Sequence, residues 1–233
     1  MVTVAPAKPH PNLPLSAMTR PTHSTKLDPD LIAEVERAEA HLSAIDPLLG
    51  AVISDLGPCP IVEYIMEPFD SLVWTVVGQQ ISSAAAAAIT NRLRDRVGGL
   101  FTPDALNELS ENDLREAGLS RSKVRTIQAL SAHLVSGELD LNHLAGLPDA
   151  EIMKQLTPYY GIGPWTVEML LIFGFGRMDV FSGGDLALRK AIGLLHDHDT
   201  PPDARQSVEI ARQWAPYRTV ASWYLWRTVD PLA

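Results

Sequence analysis

The 233-residue chain contains a single cysteine, Cys59, so it cannot form an internal disulfide bond. One thiolate is also too few for a structural zinc site or an iron–sulfur cluster built from several cysteines. No apolar run approaches the roughly 18 residues that a membrane-spanning helix needs, and no apolar segment of the signal-peptide kind opens the chain. We therefore expect a soluble, non-secreted protein of the reducing cytoplasm.

Other familiar signatures are missing as well. The sequence has no phosphate-binding P-loop, no HExxH or GxSxG motif and no dinucleotide-binding glycine pattern, so nucleotide hydrolysis and zinc hydrolysis lose their usual basis. It also lacks a positive net charge, and the formal value of -9 at first argues against a nucleic-acid partner.

That negative charge is concentrated in one segment. Between Asp28 and Glu67 there are nine acidic residues and one basic residue, so the rest of the chain is close to neutral. Basic residues recur at short spacing in that remainder, namely Arg92, Arg94 and Arg96, then Arg121, Lys123 and Arg125. Local positive faces and plain solvated helix faces explain these clusters equally well.

The order of the chain is a proline-rich start followed by helical periodicity. Residues 1–27 hold five prolines and predict a disordered tail, whereas residues 28–233 predict one helical domain. Apolar residues recur there every three or four positions after Ser120, Asp185 and Pro202, as on one face of a helix. The alanine-rich segment 69–97 predicts two helices that break near 78–83. The fold class predicted by these patterns is all-α.

The most informative stretch runs from Leu156 to Thr166 and predicts a helix, a tight turn and a second helix over about 148–175. Gly161 and Gly163 have no Cβ, so they can adopt positive φ and let backbone N–H groups approach another molecule. Pro164 suits the first position of the following helix, whose free amides would favour a phosphate. A plain helical hairpin that uses glycine only to turn is the alternative.

Asp185 follows this hairpin by about twenty residues and precedes an apolar helical pattern. An aspartate at that position is a good N-cap, which alone would account for it. The same helix N-terminus could also hold the carboxylate ionised as an electrostatic catalyst. The two interpretations are compatible.

The Gly161-Ile162-Gly163 hairpin followed by Asp185 resembles the helix-hairpin-helix superfamily of DNA glycosylases, in particular the bacterial 3-methyladenine DNA glycosylase II type. Three further segments resemble motifs of that family in the same order: GQQIS at 78–82, LREAGLSRSK at 114–123, and WAPYR at 214–218 followed by Trp226. Together they cover roughly residues 65–230. The resemblance implies a two-lobed helical fold with the cleft between its lobes, without the extra N-terminal β domain of longer relatives.

The resemblance also implies a function. It suggests a monofunctional enzyme of the cytoplasm and nucleoid that flips alkylated bases such as 3-methyladenine and 7-methylguanine out of double-stranded DNA and excises them hydrolytically. It implies a monomer with no membrane association and no required cofactor or metal site, although the family's hairpin often binds one monovalent cation. Trp165 stands where strand-cutting members have the lysine that forms a Schiff base, so no lyase activity is expected.

Individual roles follow from the same comparison. Asp185 would be the catalytic residue, while Trp165 and Trp226 would stack on the extruded, positively charged base. The residues expected to contact DNA are Gln79, Gln80, Ser82, Gly161, Gly163 and Thr166. Gln80 would fill the gap left by the flipped nucleotide. The other tryptophans, Trp74, Trp214 and Trp223, are predicted to lie in the core.

One departure from the family and two competing functions stay open. Ser182-Gly183-Gly184 replaces a loop in which the family commonly has a proline, which predicts a looser and wider pocket mouth. A non-catalytic DNA-damage-binding protein would use the same hairpin, with Asp185 acting only as a cap. A helical adaptor protein would instead use the acidic segment 28–67 and would lack salt-sensitive affinity for DNA.

Overall fold

The computed structural model describes residues 29–229, apart from the side chain of Ser83, and these residues form helices and short connections. The α-helices are α1 (Pro29–Ile45), α2 (Pro47–Leu56), α3 (Pro68–Gly78), α4 (Ser83–Val97), α5 (Pro103–Asn107), α6 (Glu111–Glu116), α7 (Arg121–Val135), α8 (Leu141–Ala145), α9 (Asp149–Leu156), α10 (Pro164–Met169), α11 (Leu186–Leu195), α12 (Ala204–Ala211) and α13 (Arg218–Val229). No strand occurs in this part of the chain, and the all-α prediction is confirmed. The predicted tail at 1–27 lies outside the described residues.

Local sequence explains most helix boundaries. Proline occupies the first turn of α2, α3, α5 and α10, where its missing N–H has no intrahelical partner to lose. The predicted break in the alanine-rich segment is confirmed, because α3 ends at Gly78 and the Ser82 hydroxyl accepts a hydrogen bond from Ala85 N at the start of α4. Ser120 caps α7 in the same way, through Lys123 N.

Packing divides the helices into two groups. The first and last helices of the chain form one group, in which α1 and α2 contact α13, and α13 contacts α11. The second group is centred on α7, which packs against α5 and α6. Helix α3, buried from Phe69 to Gly78, contacts α7 on one side and α10 with the following π-helical turn Leu170–Gly174 on the other. The hairpin formed by α9 and α10 therefore packs against the buried helix α3.

Several charged residues that sequence left unassigned form internal contacts. Glu39 accepts hydrogen bonds from Cys59 N and from the Tyr224 hydroxyl, both at 2.6 Å. Arg94 forms an ion pair at 2.8 Å with Asp70, which is fully buried. Part of the acidic segment and part of the first arginine cluster thus stabilise the fold, because buried charges need partners.

The apolar stripe predicted on α12 is partly wrong. Ala211 is buried as expected, but Val208 is exposed, and α12 buries the polar Ser207, whose hydroxyl donates to Asp203 O at 2.8 Å. No helix within residues 29–229 is both long enough and apolar enough to cross a membrane.

Candidate active site

Asp185 lies at the N-terminus of α11 with no exposed surface. Its Oδ1 accepts hydrogen bonds from Ala187 N at 2.8 Å and Leu188 N at 3.0 Å, so it is the N-cap that the sequence predicts. Its Oδ2 accepts a 2.8 Å hydrogen bond from the Trp165 indole Nε1 on α10. The hairpin and the aspartate that follows it are therefore joined directly, although 20 residues separate them in sequence.

The environment of Asp185 has opposing effects on its ionisation. Burial raises the pKa of Asp185, and hydrogen bonds from Trp165 and the backbone of α11 oppose the increase, as does the nearby Trp226 indole, although its Nε1 makes no hydrogen bond. The expected stabilisation of the anion by the helix N-terminus is therefore present but is outweighed by loss of solvation. Both indoles predicted to line the pocket thus lie beside the predicted catalytic carboxylate.

The tryptophans themselves are buried. Trp165 is 7% exposed and Trp226 is 1% exposed, and the Trp226 ring stacks on Phe173 with a centroid distance of 6.0 Å. A substrate sugar can reach Asp185 only after neighbouring side chains move aside, since the carboxylate has no accessible surface. Trp74, Trp214 and Trp223 are buried, as their predicted core location requires.

The loop before Asp185 is more tightly packed than the sequence suggests. Ser182 is fully buried, and its carbonyl accepts a 3.0 Å hydrogen bond from Asp185 N. A Cβ on Gly183 would lie 2.5 Å from a Val208 methyl and 2.9 Å from Ala204 O, so glycine allows close contact with α12 here. The expectation of a loose loop is therefore wrong at Gly183, where glycine permits close packing, while the width of the pocket mouth stays a prediction. Only Gly184 has open space around it.

Glu168 is a second carboxyl group at this site, and the sequence analysis missed it. It lies one turn after Trp165 on α10 and accepts a 2.5 Å hydrogen bond from the Ser182 hydroxyl. Burial raises the pKa of Glu168 to about 7; the bond from Ser182 opposes this increase, and the charge of Asp185 adds to it. A glutamate inside the otherwise apolar run from Val167 to Phe173 was the available signal.

A second aspartate repeats the local geometry of Asp185 elsewhere in the fold. Asp46 caps α2 by accepting from Leu48 N and Leu49 N, both at 3.1 Å, through one oxygen. Its other oxygen accepts a 2.8 Å bond from the Trp214 indole. This pair bonds neither to the hairpin nor to Asp185, although the Trp214 ring lies 6.0 Å from the Phe181 ring in the loop before Asp185, and it provides a structural counterpart to the Asp185–Trp165 pair.

The two hairpin glycines have different roles. Gly161 has φ +79, and a Cβ there would lie 2.1 Å from Thr126 Oγ1 of α7, so glycine is required for both reasons. Gly163 has φ -98, which any residue adopts, and a Cβ there would meet nothing within 4 Å. The expectation of positive φ is therefore correct for Gly161 and wrong for Gly163. Ile162 between them is buried and fixes the turn.

Gln79 and Thr166 contact each other within the protein. The Gln79 side-chain amide donates to Gly161 O at 3.1 Å and to Thr166 Oγ1 at 3.0 Å, which ties the end of α3 to the hairpin. Thr166 is only 2% exposed. These bonds hold the hairpin against α3, and contact of Gln79 or Thr166 with DNA stays a prediction.

Gln80 and Ser82 lie at the surface beside that bridge. Gln80 is exposed and has φ +58, an unusual backbone conformation for a residue with a side chain. Such strain of order 1 kcal/mol persists where surrounding structure enforces it and is often found at functional positions. Ser82 uses its hydroxyl to cap α4.

Basic and aromatic groups surround the hairpin. Arg125 stacks on the exposed Tyr160 ring at 4.0 Å from the centroid, and Thr126 one residue later contacts Gly161. Lys123 donates to Val77 O at 2.7 Å, and burial lowers the pKa of its amine. The second basic cluster therefore adjoins the two glycines despite the acidic net charge.

The all-helical fold, the glycine hairpin and the buried aspartate joined to it define a helix-hairpin-helix protein. The family model described as "HhH-GPD superfamily base excision DNA repair protein" matches residues 73–216. The chain is 33% identical to DNA-3-methyladenine glycosylase 1 of Schizosaccharomyces pombe over 85% of its own length and 90% of the relative's. It belongs to the HhH-GPD superfamily of base excision DNA repair proteins.

Solved structures agree with this assignment. A 3-methyladenine DNA glycosylase of Schizosaccharomyces pombe in complex with abasic DNA superposes with a TM-score of 0.75 and 33% identity, covering 82% of this chain and 96% of that one. A DNA-3-methyladenine glycosidase of Bacillus halodurans gives 0.69 and 35%, covering 83% and 89%. These similarities place the chain among the DNA glycosylases of the superfamily.

The open space around Gly163 allows a clean test of the hairpin. We expect Gly163→Asp to fold with an unchanged melting temperature but to weaken binding to damaged and undamaged duplex alike, because a carboxylate there would repel a nearby phosphate. Gly163→Asn, which has the same size without the charge, should weaken binding less. Melting temperature and DNA affinity are measured on the same preparations. Unchanged affinity of a well-folded Gly163→Asp protein would remove the hairpin from the DNA interface.

The raised pKa of Glu168 predicts a pH-dependent stability. The folded protein keeps the Glu168 proton up to about pH 7, whereas an unfolded glutamate loses it near its ordinary value of 4.5. The folded state therefore binds more protons in this window, and the Glu168 contribution to stability is lost as pH rises through about 7.

The decrease in melting temperature between pH 5 and pH 8 should be smaller in Glu168→Gln than in the parent protein, by on the order of 5 °C. Thermal melts across this range measure it. Exposed Glu108→Gln controls for loss of one negative charge. Parallel curves for the parent and Glu168→Gln would contradict the prediction.

Proposed function

We propose that this protein is a monofunctional DNA glycosylase that removes alkylated bases, including 3-methyladenine and 7-methylguanine, from double-stranded DNA in base excision repair. The observation that carries the proposal is the buried Asp185 carboxylate, held between a helix N-terminus and the hairpin tryptophan Trp165. The relatives named above are 3-methyladenine DNA glycosylases, which supports the same substrate class.

The chemistry follows from the charge of the substrate. A base alkylated at N3 or N7 is cationic, so cleavage of its bond to C1′ returns the electron pair to the base, which leaves as a neutral molecule. Positive charge then develops on the sugar, and the Asp185 carboxylate would stabilise it. Water forms the new bond to C1′ and gives up its proton to Asp185 or to solvent. Little help from a general acid is needed.

The surroundings of Asp185 suit this role. Fixed donors take the place of water around the carboxylate, so little reorganisation is needed as charge develops. Trp165 and Trp226 would offer electron-rich faces to a cationic base by stacking and cation–π contact. Because both are buried, base extrusion into the site would have to be coupled to side-chain movement.

The proposal also covers location, oligomeric state and ion binding at the hairpin. We propose a cytoplasmic monomer that contacts phosphates at the hairpin, where a monovalent cation could also bind. The Gly161 and Tyr159 carbonyls there each accept one hydrogen bond and keep a second lone pair, so they fit such an ion. No step of base release depends on it.

A second candidate is a non-catalytic protein that binds damaged DNA. The observation in its favour is the Asp46–Trp214 pair, in which a buried aspartate that caps a helix and bonds an indole has no glycine hairpin attached to its indole partner. In this alternative Asp185 is only a cap. Base release from methylated duplex separates the two candidates.

Asp185 and Asp46 form a matched pair for that experiment. Asp185→Asn should lower the rate of base release by ~10²-fold or more, the scale expected for loss of a key electrostatic stabiliser. Asp46→Asn alters the same set of hydrogen bonds, so both variants should lose similar thermal stability, but Asp46→Asn should release bases normally while folded. Near-normal release by Asp185→Asn would overturn the catalytic assignment.

The absence of an amine at position 165 predicts an intact product strand. Reaction with methylated duplex should leave an abasic site without a strand break, and borohydride should trap no covalent complex of protein and DNA. Gel electrophoresis of labelled strands measures both outcomes. A trapped adduct would show that another amine reacts, and Lys123, whose pKa is lowered by burial, would be the first to replace.

A further inference from the structure

The loop that presents Asp185 is held by α10 at two points. Trp165 donates a hydrogen bond to the carboxylate itself, and Glu168 accepts a hydrogen bond from the Ser182 hydroxyl. The Ser182 carbonyl in turn accepts a hydrogen bond from Asp185 N. Trp165 and Glu168 are three residues apart, so both side chains extend from the same face of the helix. Four connected groups thus run from α10 to the loop and back to α10.

We propose that Glu168 is a positioning residue for base release, acting through Ser182 to hold the Asp185 carboxylate in place. This inference rests on the proposed function, because it assigns Glu168 a part in the same reaction. Glu168 anchors Ser182, whose carbonyl accepts the hydrogen bond from Asp185 N.

The packing of the loop explains why this bond matters. Downstream of Ser182 come two glycines, which restrict the backbone least, and only Gly183 is closely packed. Without the Ser182 anchor, Gly184 could absorb a shift of the loop before the N-cap. A displacement of about 1 Å at a catalytic group can cost about 10²-fold in rate.

Substitutions at the hydrogen-bond acceptor, Glu168, distinguish a positioning role from a role of its negative charge. A glutamine at 168 keeps an oxygen that can accept the Ser182 hydroxyl, whereas an alanine does not. If Glu168 acts by positioning, the glutamine variant retains function and the alanine variant loses it. Ser182→Ala should reproduce the alanine effect, and the double variant should be no worse than either single one, since all three break one interaction.

The first measurement does not require activity. The indole N–H signal of Trp165, identified by its loss in Trp165→Phe, reports the bond to Asp185. We expect its exchange with solvent to be slow in the parent protein and in Glu168→Gln, and at least ~10-fold faster in Glu168→Ala and Ser182→Ala, because a displaced loop opens that bond more often. Glu151→Ala on α9, which removes a glutamate from the other helix of the hairpin, controls for loss of charge and should leave the signal unchanged.

The second measurement is single-turnover base release from a methylated duplex with saturating protein. Glu168→Ala and Ser182→Ala should release base ~10- to 100-fold more slowly at a temperature where both variants stay folded, with duplex affinity close to the parent value. Glu168→Gln should stay within about threefold of the parent rate, as expected where the hydrogen bond survives. Should Glu168→Ala fail to fold, Ser182→Ala and Glu168→Gln test the same bond.

The outcomes are distinct. Unchanged indole exchange in Glu168→Ala and Ser182→Ala would overturn the positioning role, as would a glutamine variant as impaired as the alanine variant. A parent protein that releases no base, with indole exchange as expected, would instead reject the proposed function and leave the positioning of Asp185 supported. Normal base release by both alanine variants, alongside an inactive Asp185→Asn, would reject this inference alone.

Discussion

The hydrogen bond between Trp165 and Asp185 is the contact on which the arrangement of the site depends. One Asp185 carboxylate oxygen accepts hydrogen bonds from the N-terminus of α11, and the other accepts one from the Trp165 indole on α10. The hairpin and the loop before α11 therefore cannot move independently without breaking a buried hydrogen bond, which costs roughly 1–3 kcal/mol. The Gln79 side chain also hydrogen-bonds the hairpin to the end of α3, so the hairpin is attached to a helix of the core as well.

Complete burial of a carboxylate is unfavourable unless the protein replaces its solvation. Three donors do so for Asp185, yet the direction of its pKa shift indicates that they compensate only in part. This residual cost is informative. If Asp185 were only a helix cap, burial beside a second carboxyl group, Glu168, would add no stability. Around a catalytic anion, by contrast, fixed dipoles help to stabilise the positive charge that develops next to it during the reaction.

Asp46 shows how little local geometry alone says about chemistry. Like Asp185, it caps a helix through one oxygen and accepts an indole N–H through the other, at similar distances, although its indole partner is Trp214 rather than Trp165. The two sites differ in their surroundings: only Asp185 has the Glu168 carboxyl and the Trp226 indole nearby and a glycine hairpin attached to its indole partner. The cap and the catalyst are therefore not competing descriptions of Asp185, because the bonds of the first hold the group in place for the second.

The sequence by itself determined the helices, the break after Gly78, the cap at Ser120 and the hairpin at Gly161, because these depend on residues within a few positions of each other. Its family resemblance also brought Trp165, Trp226 and Asp185 together. Only the tertiary structure decided that Gly161 needs its positive φ beside Thr126, while Gly163 does not.

The contacts around Asp185 were likewise not predictable from the sequence. Glu168 reaches Ser182 across 14 residues, and Asp46 reaches Trp214 across 168, without any periodic relation that a sequence pattern could record. The loop after Ser182 has the composition of a flexible segment, yet α12 packs closely against it. These contacts join groups whose separation in space is set by the packing of whole helices, and such distances exist only once the chain has folded.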